Sequence, residues 1–573
     1  MYIPLNRLSV VTPRNIALSL FLTICLLAVG CGGSTTSLVV VTESGQVAGV
    51  VRNSAHEYRG IPYAAAPTGD RRWAPPAEPT AWLGVRDASE FGSACPQQAR
   101  FNLTEGSENE DCLSLNISVP QDIKAGERLP VLFWIHGGAF VGGSANLYRL
   151  DKLAGEGRMV VVSANYRLGA LGFMPHPAFE TANHYNGNYG LEDQRMAMAW
   201  VQRNIAAFGG DPSRVTIAGE SAGAGSVCMH LASADQVKGL FQQAIVQSAG
   251  CLQPMKTVTE AQATGESIGS ALGCEGNPAQ VAQCMRTQPV AAILAMQGDY
   301  AHQHPEDFIP FAPATGTTAQ PNATLPTSVR EAMSRKQFRQ IPLMMGGTRH
   351  EVRLYVGYFW QAAQAGQGLP LDAANLPIWL KNFYGESKAT AILQHYQPAN
   401  GWADARAVPE ILGRLMSDYT PSIGINNCLY LHTSDALNEY FAQTGLKLPI
   451  YQFEFADENA PVLGVGIATP YPDFAMGSVH SSELNYLFPK LSNTHLINGP
   501  DLVPESAILA DQMVAQWAQF VHTGNPNRTG LPHWPAYAGS SSVMLLAPGA
   551  SSAYDADSQH QCSAFWRKQF TLP

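Results

Sequence analysis

Charge is scarce in this chain. Only 14% of its 573 residues are Asp, Glu, Lys or Arg, and 45 acidic side chains outnumber 35 basic ones, for a formal net charge of −10. No long basic run concentrates positive potential, which argues against nucleic acid as a partner. There is no low-complexity tract, no repeat of fixed period and no Pro/Ser-rich stretch long enough to divide the body. No Cys/His cluster has zinc-ligand spacing and no glycine loop has the form of a phosphate cradle, so nothing in the sequence asks for a metal or an organic cofactor. What remains is an ordinary globular composition, 46% hydrophobic, in a chain long enough for a large core.

Long hydrophobic runs are also missing. The run "IALSLFLTICLLAV", residues 16–29, follows Arg7 and Arg14. It is short for a membrane span, which needs about 20 apolar residues. A basic start, a short apolar core and small residues after it read as a secretory signal peptide. Its end, "LLAVGCGGSTTS", resembles the lipobox of bacterial lipoproteins, in which the cysteine, here Cys31, is lipidated and becomes the mature N-terminus. Ala28 stands where the lipobox usually has Leu, so plain cleavage is the alternative. The expected organisation is a signal peptide over 1–30, a flexible tether over 31–37 carrying Cys31, and a single domain over 38–573. The product is exported, either anchored by lipid on the outer-membrane or periplasmic side, or secreted. Of ten cysteines, Cys25 leaves with the signal and Cys31 is the lipid candidate. The other eight enter an oxidising compartment, where 105 complete pairings are open to them.

Beyond the tether, residues 38–60 read as short strands, and a Pro/Gly-rich loop follows. From about residue 113, strand-like runs such as "LPVLFWI", "RMVVVSA", "VTIAG", "AIVQ", "IPLMM" and "IYQFEF" alternate with helical segments. In one of these, "NYGLEDQRMAMAWVQRNIAAFGG", Met196, Ala199, Trp200 and Ile205 fall near 3.6 spacing. Such alternation implies a large, mostly parallel twisted sheet covered by helices on both faces. Active sites of such sheets lie at the C-terminal strand ends.

Each strand end carries a candidate. The β-branched Val215, Thr216 and Ile217 lead into Gly219-Glu220-Ser221-Ala222-Gly223, a G-x-S-x-G that then opens a helix, as a nucleophile elbow requires. By itself the pattern also suits a small residue in a glycine-rich loop. A serine hydroxyl is a weak nucleophile and needs a base, an orienting acid and oxyanion donors. After "VLFWI" come His136-Gly137-Gly138-Ala139, whose glycine amides could join that of Ala222 in facing a carbonyl oxygen. After "IPLMMGG" come Thr348-Arg349-His350-Glu351, and "GSVHSSELNYLF" holds His480. The order Ser221, Glu351, His480 is that of α/β-hydrolase triads. His350 is a rival for the base, but it adjoins the candidate acid and would project elsewhere.

At these residues the chain resembles the type-B carboxylesterases of the carboxylesterase/cholinesterase family, in the α/β-hydrolase fold. The resemblance runs from about residue 38 to the C-terminus through "GIPYA", "EDCLSLNI", "WIHGGAF", "NYRLGALGF", "GNYGLEDQ", "FGGDP", "GESAG", "HSSELNYLF" and "TGNP…WPAY". It implies Ser221 as nucleophile, His480 as base, Glu351 as acid, and the amides of Gly137, Gly138 and Ala222 as the oxyanion hole. Glu220 and Ser248 match positions that hydrogen-bond near the triad. Around Glu351, "GGTRHEV" departs from the family's more usual G-T-N-x-D-E-G, with His350 in place of Asp and Val352 in place of Gly. The resemblance further implies the disulfides Cys95–Cys112, Cys274–Cys284 and Cys428–Cys562. It offers no partner for Cys228 and Cys251, which are read as free, buried thiols in preference to an extra bridge.

The departures narrow the substrate. Cholinesterases hold a cationic substrate on a Trp in the loop closed by the first disulfide. Here that loop is "CPQQARFNLTEGSENEDC", with no Trp, which argues against choline esters. The loop is also short and polar where family lipases carry an apolar flap. The expected activity is hydrolysis of small to medium carboxylic esters, including aromatic ones. The alternatives are a lipase of the same fold and a non-catalytic adhesion or binding protein, as some members are. The partner is a small-molecule ester, and the oligomeric state is left open.

Overall fold

The strands of the chain centre are nearly continuous apolar runs, as a sheet buried on both faces requires. In the computed structural model the described residues are 38–99, 106–181, 187–304, 309–316, 323–398, 406–463, 470–491 and 500–571. The signal peptide, the tether and Cys31 lie outside them. Fourteen strands occur among these residues: β1 (Val39–Thr42), β2 (Gly45–Ala48), β3 (Val50–Arg52), β4 (Ala55–Pro62), β5 (Val85–Asp87), β6 (Ser114–Pro120), β7 (Leu129–Ile135), β8 (Val160–Ala164), β9 (Gly210–Glu220), β10 (Gln243–Gln247), β11 (Leu343–Thr348), β12 (Ile450–Phe455), β13 (Val543–Leu546) and β14 (Ser552–Tyr554). Strands β1, β2 and β5 form a small three-stranded sheet, and the others form one sheet in the order β14-β13-β12-β11-β10-β9-β7-β8-β6-β4-β3. The run from β13 through β8 is parallel throughout. Antiparallel strands flank it, β14 on one side and β6, β4 and β3 on the other. This is the mostly parallel sheet expected.

Alternation along each strand sorts side chains between two cores. Val131, Phe133 and Ile135 of β7 join the larger apolar cluster on one face. Leu132 and Trp134 join the other, where Phe453, Trp517 and Trp534 gather. Truncating a fully buried ring such as Trp134 would cost roughly 3–5 kcal/mol.

Register decides where the site forms. Gly219 of β9 pairs with Ile135 of β7 and with Val246 of β10, and Gln247 pairs with Glu220 and Gly346. Strands β7, β9, β10 and β11 therefore end nearly level, and the four loops that follow them share one edge of the sheet. Residues Leu38–Pro573 hold together as one compact unit.

Two expectations are corrected. The helix Tyr189–Asn204 buries Ala197, Trp200, Val201 and Asn204, whereas Met196 and Ala199 are only half-buried. The helix lies deep enough to bury polar positions as well. Asp193 pairs with Arg167 at 2.8 Å, and Gln194 donates to the Ser226 hydroxyl at 3.1 Å. The second correction concerns the cysteines. Cys95–Cys112, Cys274–Cys284, Cys428–Cys562 and also Cys228–Cys251 are bonded. Cys228 and Cys251 are thus not free thiols. The helix Ala222–Ala232 packs along β10 and brings their Cα atoms to 5.3 Å, an approach that no local pattern in the sequence encodes.

Candidate active site

Ser221 stands alone between the end of β9 and the start of the helix Ala222–Ala232, at φ 56° and ψ −124°. A non-glycine residue held there stores about 1–3 kcal/mol of strain, and its surroundings must enforce it. Two glycines let those surroundings close in. A Cβ on Gly219 would lie 2.5 Å from the carbonyl carbon of Gly223, and one on Gly223 would lie 2.0 Å from the Ile135 oxygen. The Ser221 amide donates to the Gln247 carbonyl at 2.9 Å, which ties the turn to the end of β10. The helix N-terminus beside Ser221 favours negative charge there.

Glu351 follows β11 by three residues and is fully buried. Its Oε1 accepts from the Thr348 amide and the Tyr430 hydroxyl, each at 2.9 Å. Its Oε2 lies 2.7 Å from Nδ1 of His480, and Nε2 of His480 lies 2.9 Å from Oγ of Ser221. The two loops are joined by backbone, His350 donating to Ser478 at 3.0 Å and His480 to Glu351 at 3.4 Å. With Nδ1–H facing the carboxylate, Nε2 is left to accept the serine proton.

Further carboxylates crowd the imidazole. Glu220 comes within 3.2 Å of His480 Nε2 and accepts from the Ser481 hydroxyl at 2.6 Å. Burial alone would push the imidazolium down, but Glu220 and Glu351 outweigh it and raise His480 to about 9. Burial would raise Glu351, yet the facing His480 charge and hydrogen bond hold it below the usual carboxylate range. Glu220 is held up by burial against the pull of His480. Glu483 is held up to about 8 by burial and by the charges of Glu220 and Glu351. One of its oxygens accepts from Gln247 at 3.1 Å and the other has no hydrogen-bond partner among the described residues.

The glycine turn after β7 is pinned from behind. Tyr166 donates to the His136 carbonyl at 2.8 Å, and Nδ1 of His136 lies 2.9 Å from the Gly137 carbonyl. Burial lowers His136 to about 4, so its ring is neutral. A Cβ on Gly137 would sit 2.8 Å from Glu220 and 3.0 Å from the Ser221 Cβ, so only glycine fits against the elbow. The amides of Gly138 and Ala222 donate no hydrogen bond among the described residues, and the Gly137 amide reaches the Tyr148 hydroxyl, so backbone donors gather beside the serine. Above them opens a cavity of about 360 Å³, into which Ser221, His480, Gly137 and Gly138 face. Its walls are mainly apolar and aromatic, from Tyr148, Phe311, Leu354, Tyr355, Tyr358 and Phe359.

The structure thus brings Ser221, Glu351, His480, Gly137, Gly138, Ala222 and Glu220 to one point. Ser248 is adjacent. Its amide donates to Gly346 at 2.7 Å, and its hydroxyl helps hold down the Glu351 pKa without making a hydrogen bond of normal geometry. His350 points away, with Ser478 at 3.3 Å and Glu458 at 3.9 Å from its Nδ1. The loop closed by Cys95 and Cys112 is only partly described, residues 100–105 lying outside. Sequence reasoning missed Glu483, Tyr430 and Ser481. Glu483 and Ser481 lie inside the "HSSELNYLF" motif, but Tyr430 has no local signal.

Comparison with known proteins fits this geometry. The Carboxylesterase family model matches residues 36–566. The chain is 33% identical over 533 residues to the fumonisin B1 esterase of Sphingopyxis macrogoltabida, covering 90% of this chain and 87% of that one. It is 31% identical over 510 residues to the para-nitrobenzyl esterase of Bacillus subtilis (strain 168), covering 88% and 93%. Among solved structures, a thermophilic PNB esterase superposes with a TM-score of 0.71 at 29% identity, over 93% of this chain and all of the other. With a sheet, a strand-end site and a relationship of this extent, the chain belongs to the carboxylesterase family and is an ester hydrolase of the α/β-hydrolase fold.

Proposed function

We propose that Ser221 attacks the ester carbonyl while His480 takes its proton through Nε2, and that Glu351 fixes the imidazole tautomer and stabilises the imidazolium. The amides of Gly137, Gly138 and Ala222 receive the oxyanion. The alcohol leaves with the proton from His480, and water activated by the same imidazole hydrolyses the acyl-enzyme. The observation that carries this reading is the hydrogen-bonded chain from Ser221 through His480 to Glu351, with spacings of 2.9 and 2.7 Å, at the floor of the apolar cavity. The aromatic walls favour small to medium esters with apolar or aromatic groups. Four disulfides among the described residues fit export to an oxidising compartment. No helix of the described residues is long and apolar enough to cross a membrane. Cys31 is the proposed lipid anchor.

The test is labelling with a fluorophosphonate and mapping of the modified peptide. Label on Ser221, with Ser221→Ala losing on the order of 10⁶-fold in kcat, is the expected result. A Ser221→Ala enzyme that keeps a tenth of wild-type turnover would remove this serine from the mechanism.

A further inference from the structure

Ser221 and Ser248 end adjacent parallel strands and both are strained. Ser221 follows β9 at φ 56° and Ser248 follows β10 at φ 59°. Backbone links run across the strand ends in series: the Ser221 amide to the Gln247 carbonyl at 2.9 Å, then the Ser248 amide to the Gly346 carbonyl at 2.7 Å. This row joins the three strand ends that carry Glu220, Ser248 and, past β11, Glu351. Left-handed conformations of serine persist only where neighbouring structure over-determines them. Gln247 and Ser248 are fully buried, so these backbone links are one such constraint.

The disulfide Cys228–Cys251 braces the same pair of segments from behind. Cys228 lies seven residues past Ser221 on the elbow helix, about 10 Å along its axis at 1.5 Å per residue. Cys251 lies three residues past Ser248. Both are buried, at 2% and 5% exposure. Between them Gly250 is clamped. Its amide donates to the Gly424 carbonyl at 2.9 Å, and a Cβ there would strike Leu429 at 2.2 Å. A slide or rotation of the elbow helix along β10 would move Ser221 against Ser248 and Glu351, and the covalent bond forbids it.

We propose that Cys228 and Cys251 are positioning residues, whose disulfide holds the Ser221 turn in register with the segment that carries Ser248 beside Glu351. The proposal rests on Ser221 as the nucleophile. A cross-link that only stabilised the fold would change the melting temperature and leave turnover alone at lower temperature. A positioning cross-link changes turnover in the folded enzyme, because an ångström of misplacement can cost up to about 100-fold.

The experiment compares wild type with Cys228→Ala/Cys251→Ala and with the better-filled Cys228→Val/Cys251→Ala, below the melting temperature and with folding checked by circular dichroism. The expected result is a fall of about tenfold or more in kcat with KM nearly unchanged, and a parallel fall in the rate of fluorophosphonate labelling, which still reaches the wild-type endpoint. Loss of the endpoint in wild type itself would instead strike at Ser221 as nucleophile. A folded variant with a lowered melting temperature but wild-type kcat and labelling rate overturns the proposal. If neither variant folds, phosphine treatment of the full-length wild type decides. Activity that falls and recovers in step with the Cys228 and Cys251 thiols, counted by alkylation mass mapping, supports it. Activity indifferent to those thiols overturns it.

Discussion

Replacing Glu220 by Gln should move the acid limb of activity downward. His480 must be neutral at Nε2 to accept the serine proton, so kcat/KM falls where the imidazolium forms. The carboxylates of Glu220 and Glu351 raise His480 to about 9, and the wild-type limb should therefore lie above the ordinary histidine value of about 6.5. Removing the Glu220 charge destabilises the imidazolium and lowers that pKa, so more neutral imidazole is present at any given pH. The closest approach is 3.2 Å. At an effective dielectric of about 20, a full charge at that distance contributes about 5 kcal/mol. At about 1.36 kcal/mol per unit, this sets a ceiling of roughly 4 pH units. The Gln dipole still faces the ring, so the net shift is a fraction of that ceiling, and about half, roughly 2 units, is expected. Gln keeps a carbonyl oxygen for the Ser481 hydroxyl, which preserves the local packing. The assay is kcat/KM for a p-nitrophenyl ester from about pH 5 to about pH 10, since that ratio reports the free enzyme. A limb that stays in place, or moves upward, refutes the assignment of Glu220 as a source of the raised pKa.

Glu351→Gln should fold normally and lose about 10⁴-fold in kcat, read by steady-state kinetics. Asp418 offers no substitute, because its carboxylate is held by His560 at 2.6 Å and Tyr396 at 2.8 Å. The Cys428–Cys562 bond spans 134 residues, for which chain-entropy reasoning gives about 5 kcal/mol, so Cys428→Ala/Cys562→Ala should show a clearly lower denaturation midpoint in urea. If Cys31 carries lipid, native enzyme sediments with membranes and partitions into detergent. Intact-mass analysis that finds an unmodified N-terminus beyond residue 31 would leave a simple secreted esterase.

The elbow was legible because everything that makes it is local. A β-branched strand, two glycines and a helix start lie within twelve residues, and the turn between them needs no distant partner to be recognised. The double glycine after β7 was legible for the same reason. Parallel architecture followed from the alternation of strand and helix patterns. Glu351 and His480 were different. Spacing could not choose them among 45 acidic residues and 15 histidines, and their identification rested on resemblance to a family. Only the tertiary structure could bring Tyr430 onto Glu351, Glu483 onto Gln247, Asp193 into the core against Arg167, and Cys228 onto Cys251. Those contacts depend on which strands lie side by side and in what register. The periodicity of a sequence encodes the face a residue presents, but not the distant segment that face will meet.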